Sequence, residues 1–476
     1  MRPTRRGFLT AGAVAAVTGA ANLAVPGVAS ADPGSGDNVD FPTGPGQPMR
    51  QQAPDQELRG MLKEIDGGRQ RAVIEKLVSF GTRHTLSSQT DPNRGIGAAR
   101  DFLFAEMQRL AAPSNGRMTV ELQSFVQPAG PNVPTPTVVT NIVTTLRGSV
   151  EPDRIYVVTG HYDSRVTDLA NFTSDAPGAD DDGSGVAAVL ELIRVMATHE
   201  SRATIVMAAV AGEEEGLFGS TFLAQQFKAA GADIQGMFSN DIVGSPTADD
   251  GTVDPHALRL FAEGIPDTET PNQRAVRQAD GGENDGPSRQ LARFVTNVAN
   301  NSHTDMQVHV IYRRDRFLRG SDHLPFLAQG YPAGRLTEPH ENFAHQHQDV
   351  RVVDGVQFGD LIEFVDFDFL ERVTRVNLAA MWSLANGPGT PKNVQLADPV
   401  LTNTSTLSWA AGTDADIAGY EVVWRPCTEP DWTQVIPVGN VTTTTVPLSK
   451  DNLFLGVRAV DTSGRHSPVA FPVPNP

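Results

Sequence analysis

From residue 57 onward the chain alternates between two hydrophobic patterns. Helical spacing predicts helices near 57–80, over 95–111 (GIGAARDFLFAEMQRLA), at 184–198, near 217–230, at 288–299 and over much of 355–385. Between them stand short runs that are apolar almost throughout: TNIVTTL at 140–146, RIYVVTG at 154–160, the stretch 203–211, FSNDIVG at 238–244 and a strand at 307–312. Strands buried on both faces lose the in-out alternation of a half-exposed sheet. The expectation is therefore an α/β fold, a mostly parallel central sheet with helices on both faces. Ligands collect outside the carboxyl ends of such strands, so the polar residues found there carry the most information. The polar stretch 263–287 reads as a long surface loop.

A break at 386–391 (NGPGTP) has the composition of a linker. After it the period becomes two: TLSW at 406–409, GYEVVWR at 419–425, TTTTV at 442–446 and FLGVRAV at 454–460. Short strands separated by turn signals predict a small all-β sandwich over 392–476. Trp409, the alternating Tyr420, Val422 and Trp424, and the ending AVDTSGRHSP resemble a fibronectin type III domain, although Leu453 stands where that family usually has its corner tyrosine. Such a module is expected to serve as a spacer or to contact a cell surface or polymer, with its aromatic residues in the core.

The first residues change the picture again. TRRGFLT at 4–10 sets Arg5 and Arg6 before an alanine-rich apolar stretch ending in Ala29-Ser30-Ala31, a small-x-small cleavage pattern. Residues 1–31 therefore read as a signal peptide of twin-arginine type, and the mature protein is expected to be secreted or extracytoplasmic. Residues 32–55, rich in Gly, Pro and Asp, read as a disordered lead-in, which leaves 56–385 for the main domain. A formal charge of -18 argues against nucleic acid and anionic lipid as partners, and no later stretch has the apolar length of a membrane span. Cys427 is the sole cysteine, so an internal disulfide and a thiolate zinc site are both excluded.

Any metal must then be held by His, Asp and Glu, and several strand ends deliver those residues. RIYVVTG runs into His161, AVAG into Glu213-Glu214-Glu215, and FSN into Asp241. Between the first two lies APGADDDGSG (176–185), whose three aspartates exceed what capping a helix needs. A further histidine follows in RGSDHLPF (319–326). His161, Asp181, Glu214, Asp241 and His323 make a five-ligand set with a central acid able to bridge, the stoichiometry of two metals about 3.5 to 4 Å apart. Imidazole and carboxylate without thiolate suit zinc or a similar divalent ion.

The segments GHYDS, PGADDDGSG, GEEEGLFGS, SNDIVG and GSDHLPF, in this order, resemble the secreted di-zinc aminopeptidases, relatives of glutamate carboxypeptidase and the transferrin receptor, over roughly 65–385. That resemblance implies two Zn2+ per chain, with His161 and Asp241 on one, Glu214 and His323 on the other, and Asp181 between them. It also settles the register of the glutamate triplet, which residue chemistry alone leaves open: Glu213 becomes the general base, Glu214 a ligand, and Glu215 a variable, solvated residue. Asp163 would orient the His161 imidazole. In RLTEPHENFAHQHQDV (335–350), His345 and Asp349 match the last site-lining loop, giving His345 a substrate-side role, with Glu338 a lesser candidate; Arg83 and His84 read as structural.

The implied activity is hydrolysis of N-terminal residues from peptides by water activated between two metals. A carboxypeptidase or other amide hydrolase on the same core is the alternative within enzymes. A non-catalytic receptor-like binding protein is the alternative outside them, and it requires gaps in the ligand set.

Overall fold

The structure, a computed structural model, describes residues 44–317, 319–396 and 402–472. The signal peptide read over 1–31 and the lead-in as far as residue 43 lie outside the described residues.

Eight strands build the central sheet: β1 (Met118–Gln127), β2 (Thr137–Leu146), β3 (Glu151–His161), β4 (Ala203–Val210), β5 (Asp233–Asn240), β6 (Ala257–Ala262), β7 (Gln307–Ile311) and β8 (Ala333–Thr337). Their order across the sheet is β1-β2-β4-β3-β5-β8-β6-β7. The central pairings β4–β3, β3–β5 and β5–β8 are parallel, as is β6–β7; the others are antiparallel. Alternate side chains of the middle strands feed two cores. Tyr156, Val158, Ile205, Met207 and Phe238 pack with the helices Gly67–Val78, Ile96–Ala111, Gly183–Met196 and Phe367–Asn386, while Val157, Val206, Ala208 and Met237 meet Leu223, Phe326 and Leu327 on the opposite face. Full burial of each such side chain contributes about 2 kcal/mol, and burial on both faces is why these strands lack alternation.

The elements that depart from expectation each have a local cause. The helix expected over 57–80 is two, Gln56–Leu62 and Gly67–Val78, because Asp66 caps the second by accepting from Gly68 N and Arg69 N. The loop expected at 263–287 holds a helix, Pro271–Ala279, started by a reciprocal Thr270–Gln273 capping box. Where the last helix was expected to begin at 355, a hairpin pairs Arg351–Val353 with Val356–Phe358. Its turn is Asp354-Gly355, with φ of 52° and 82°, the left-handed pair that an Asp-Gly hairpin turn requires. The helix starts only at Phe367, where Asp366 accepts from Phe369 N.

The C-terminal residues form two small sheets, one containing Ile417–Pro426, Gln434–Gly439 and Leu453–Asp461, the other Gln395–Leu396, Ser405–Ser408 and Thr443–Val446. They close on a shared core of Leu407, Tyr420, Val422, Trp424, Leu453 and Val457. Two expectations about its surroundings need correction. Gly387, Pro388 and Pro391 of the linker are buried, so the all-β unit is docked on the α/β unit rather than spaced from it. Likewise, the lead-in is ordered from residue 44: Gln47 and Pro48 add a strand beside Val435 and Gln434, and Pro45 O accepts from Trp424 Nε1 at 2.7 Å. The same segment then reaches the α/β unit, where Gln52 N donates to Asn297 Oδ1 at 3.1 Å. Regular main-chain pairing won over a Gly/Pro-rich composition.

The seam between the units holds buried ion pairs. Asp285 binds Arg425 at 2.7 Å and Arg293 at 2.9 Å, Arg154 pairs with Asp414 at 3.1 Å, and Trp432 Nε1 donates to Gln290 Oε1 at 2.9 Å. Removing one partner of a buried pair leaves the other charge under-compensated, at a cost of about 3 kcal/mol. Arg425→Met is therefore expected to lower the unfolding free energy by about that amount, with both units melting in one transition. Two separate transitions in urea, monitored by tryptophan fluorescence, would show that the units are independent.

Candidate metal centre

Neighbouring parallel strands deliver the central residues. Thr159 of β3 lies level with Ala208 of β4 and Ser239 of β5, so His161, the turn after β4 and Asp241 emerge at one sheet edge. The helix Gly183–Met196 comes up against that edge, and glycines set how closely. A Cβ on Gly160 would stand 2.6 Å from Gly185 C, and one on Gly185 would stand 2.5 Å from the Asp182 carboxylate. No side chain fits at either place.

The aspartate triplet divides its work. Asp182 caps the helix, accepting from Gly185 N, and with its other oxygen accepts from His161 N, each at 2.9 Å. Asp180 accepts from Gly244 N at 2.7 Å and lies beside Glu338, whose carboxyl is pushed well above its ordinary range by burial and by Asp180. Asp181 faces the site, its Oδ1 3.2 Å from His161 Nε2 and its Oδ2 2.8 Å from His347 Nε2. The Asp181–Asp182 peptide is cis. Asp360, which the sequence reading did not single out, accepts from both Asp180 N (2.8 Å) and Asp181 N (2.7 Å) and pins this turn.

Around Asp181 the donors fall into two groups. His161, Glu213 and Asp241 present ligand atoms within 4.8 Å of one another, and so do Asp181, Glu214 and His347. Glu214 Oε1 is 3.2 Å from His347 Nε2. Asp163 ties the groups together, with Oδ1 3.6 Å from His161 Nδ1 and Oδ2 accepting from Glu214 N at 3.1 Å. Three non-glycine residues in left-handed backbone sit at this edge: Leu217 after the glutamates (φ 58°), Ile242 after Asp241 (φ 58°) and His347 itself (φ 50°). Such conformations cost roughly 1 kcal/mol or more each and cluster at functional sites.

The histidine that joins the second group of donors is His347, and His323, expected there, does not. The His323 ring is fully buried nearby, with Nε2 2.9 Å from Arg314 O and Nδ1 3.5 Å from Ser239 Oγ, and it belongs to neither group of donors. His345 stacks on Phe364 with ring centroids 3.5 Å apart and also stays outside both groups. The sequence points to the right loop, but His340, His345 and His347 sit within eight residues of it and no periodicity in a loop chooses among them. Glu215 is likewise not solvated. It is 1% exposed, 3.3 Å from His84 Nδ1, and burial pushes its carboxyl up to about 8. Arg83 is a structural brace, donating to the carbonyls of Tyr162, Pro177 and Gly178.

The electrostatics call for cations. Burial pushes the Glu213 carboxyl well up, and Asp241, Glu214 and Asp322 add to the shift. Burial opposes charging of His347, yet Glu214 and Asp181 raise its pKa to about 10; at His161, Asp163 and Asp181 likewise outweigh burial. Both His161 ring nitrogens and Glu214 Oε1 are buried without a hydrogen-bond partner, which is costly unless something else binds them. Nitrogen and oxygen donors in two groups, with Asp181 of one standing 3.2 Å from His161 of the other, fit two zinc ions.

Two measurements follow. In zinc titrations of metal-stripped protein, His347→Ala is expected to lose one of about two sites and His323→Ala neither; loss of a site in His323→Ala alone would contradict the assignment. Because the neighbouring carboxylates favour the protonated form of both imidazoles, zinc uptake should release protons and weaken as pH falls. Calorimetry in buffers of different ionisation enthalpy reads the protons directly, and none released would contradict this charge state.

The sequence model of peptidase family M28 matches residues 141–353, a span that contains His161, Asp181, Glu213, Glu214, Asp241 and His347. The chain is 53% identical over 422 residues to a probable zinc metalloprotease of Leptosphaeria maculans, covering 89% of this chain and 98% of that protein. It is 52% identical over 435 residues to a probable zinc metalloprotease of Pyrenophora teres f. teres, covering 91% and 90%. Among solved structures it is similar to the LapA aminopeptidase of Legionella pneumophila, with a TM-score of 0.50 and 18% identity over 70% of this chain and 74% of that one, which shows the shared fold. With identity above one half extending over nearly the whole of a relative, the chain belongs to peptidase family M28.

Proposed function

We propose that this protein is a zinc-dependent aminopeptidase, exported and cleaved after residue 31, which removes N-terminal residues from peptides. The observation that carries the reading is Asp181, which turns one oxygen to His347 of its own donor group and the other to His161 of the second. Two zinc ions would be held there, one by His161 and Asp241 and one by Glu214 and His347, and would supply Lewis acidity for the attacking water and the scissile carbonyl.

The chain's own residues do the rest. Glu213 stands in the His161–Asp241 group and acts as the general base, taking the proton of the attacking water and returning it to the departing amine. Asp163 holds the His161 ring and the Glu214 backbone in register. Asp182 and Asp360 fix the backbone that carries Asp181.

The relatives named as zinc metalloproteases and the fold shared with an enzyme named as an aminopeptidase support the reading. A receptor-like binding protein would be expected to lack ligands, whereas His347 completes the set that His323 leaves open. The C-terminal unit is proposed to be a fibronectin type III-like module. In support, Trp409 and Tyr420 meet in its core with ring centroids 5.3 Å apart.

Glu213→Gln is expected to lose activity by about 10²- to 10⁴-fold while keeping the zinc content of the wild type; undiminished turnover sinks the base assignment. Peptides with free and acetylated N-termini separate amino- from carboxypeptidase action. Hydrolysis of the blocked peptide from its C-terminal end overturns the aminopeptidase reading.

A further inference from the structure

Residues 313–319 carry Arg313, Arg314, Arg316 and Arg319, four arginines in seven positions of a chain whose net charge is -18. Two of them point away from the centre: Arg314 pairs with Asp267 at 2.6 Å and Arg313 lies over the Phe317 ring. The other two line it. Arg316 Nη2 is 3.9 Å from Asp241 Oδ2, and Arg319 Nη2 donates to Oε1 of Gln346, the neighbour of His347, at 2.8 Å. Arg316 and Arg319 therefore stand between Asp241 and the His347 loop.

This wall is short of negative charge. Arg259, Arg316 and Arg319 all converge on Glu341, at 3.4, 3.5 and 2.5 Å. Arg335, fully buried, is shared by Asp241 (2.8 Å) and Asp315 (3.3 Å). Four guanidinium groups thus share three carboxylates, and one of these, Asp241, belongs to the proposed metal centre. The Arg316 side chain is 8% exposed, and its Nε is a buried donor that makes no hydrogen bond. Arg165 repeats the theme across the site, with Nε 3.7 Å from Glu214 Oε2 and also without a hydrogen bond. With Asp241 and Glu214 committed to metal, Arg316 and Arg165 would have fewer anions to satisfy them, while Arg319 pairs with Glu341 and donates to Gln346. A planar guanidinium with free donors matches a carboxylate bidentately.

We propose that Arg316 and Arg319 form a carboxylate-recognition subsite, so that the enzyme prefers peptides carrying a carboxylate within one or two residues of the bond it cleaves. That carboxylate belongs either to the C-terminus of a very short peptide or to an acidic side chain. The proposal rests on the peptidase reading above.

Two matched pairs test it on the full-length, zinc-loaded protein. Leu-Leu against Leu-Leu-amide reports on the terminal carboxylate, and Leu-Glu-amide against Leu-Gln-amide on the side chain. In the wild type, kcat/KM is expected to favour the carboxylate in one pair by about tenfold or more, mainly through KM and less at high salt. In Arg316→Met and Arg319→Met proteins of wild-type zinc content, that ratio should fall to within about twofold of unity, and Arg319→Lys should recover part of it. A wild-type ratio near one in both pairs overturns the subsite, as does a ratio the variants leave unchanged. Turnover of none of the four peptides would overturn the peptidase reading itself and the subsite with it; turnover without preference overturns only the subsite.

Discussion

Four carboxylates, those of Asp181, Glu213, Glu214 and Asp241, meet with two imidazoles at one edge of a sheet that is otherwise apolar. Each pair of like charges about 4 Å apart costs roughly 4 kcal/mol at a protein-like effective dielectric, and burial raises that cost. The surrounding structure exists to hold this unfavourable arrangement in place. Parallel strands bring the residues level, Gly160 and Gly185 let a helix terminus close on them, Asp182 and Asp360 accept from backbone N–H groups with both oxygens, and Asp163 accepts from Glu214 N with one and turns the other to His161. Left-handed backbone at Leu217, Ile242 and His347 adds conformational strain. Divalent cations bound there would offset this cost, because they would turn mutual repulsion into shared coordination.

What could be seen in the sequence follows the same physics. The buried strands, the glutamates at the end of one and the aspartates before a helix were legible because sheets and helices have fixed periods, and because acids abutting apolar runs demand a reason. His161, Asp181, Glu214 and Asp241 all came from such element ends. His347 did not, because it sits in a loop whose geometry is set by tertiary contacts, and neighbouring histidines offer the same chemistry. His323 looked equivalent in sequence, yet its ring is committed to Arg314 O and lies near Ser239. Glu215 fails similarly: nothing local announces that His84, more than a hundred residues earlier, will bury it. Edge strand β1 is hard to read because its pattern is half-exposed, and the helix Pro271–Ala279 because its capping box lies in a polar stretch.

The C-terminal unit and the segment before residue 56 show that composition is a poor guide to rigidity. A linker with the residues of a flexible tether is buried, and a Gly/Pro-rich lead-in adds a strand to one unit and a hydrogen bond to the other. The seam lies away from the donor groups, so its role is to stabilise rather than to react. The arginine segment at 313–319 is the opposite case: its charge is plain in the sequence, but only its contacts with Asp241 and Gln346 connect it to the site.

The claim at the centre of this account is that two metals share Asp181. Anomalous diffraction from a zinc-loaded crystal, collected at the zinc edge, tests it most directly. Two peaks about 3.5 to 4 Å apart are expected, one bounded by His161 and Asp241 and the other by Glu214 and His347, with Asp181 between. A single peak, or a peak coordinated by His323, would contradict it.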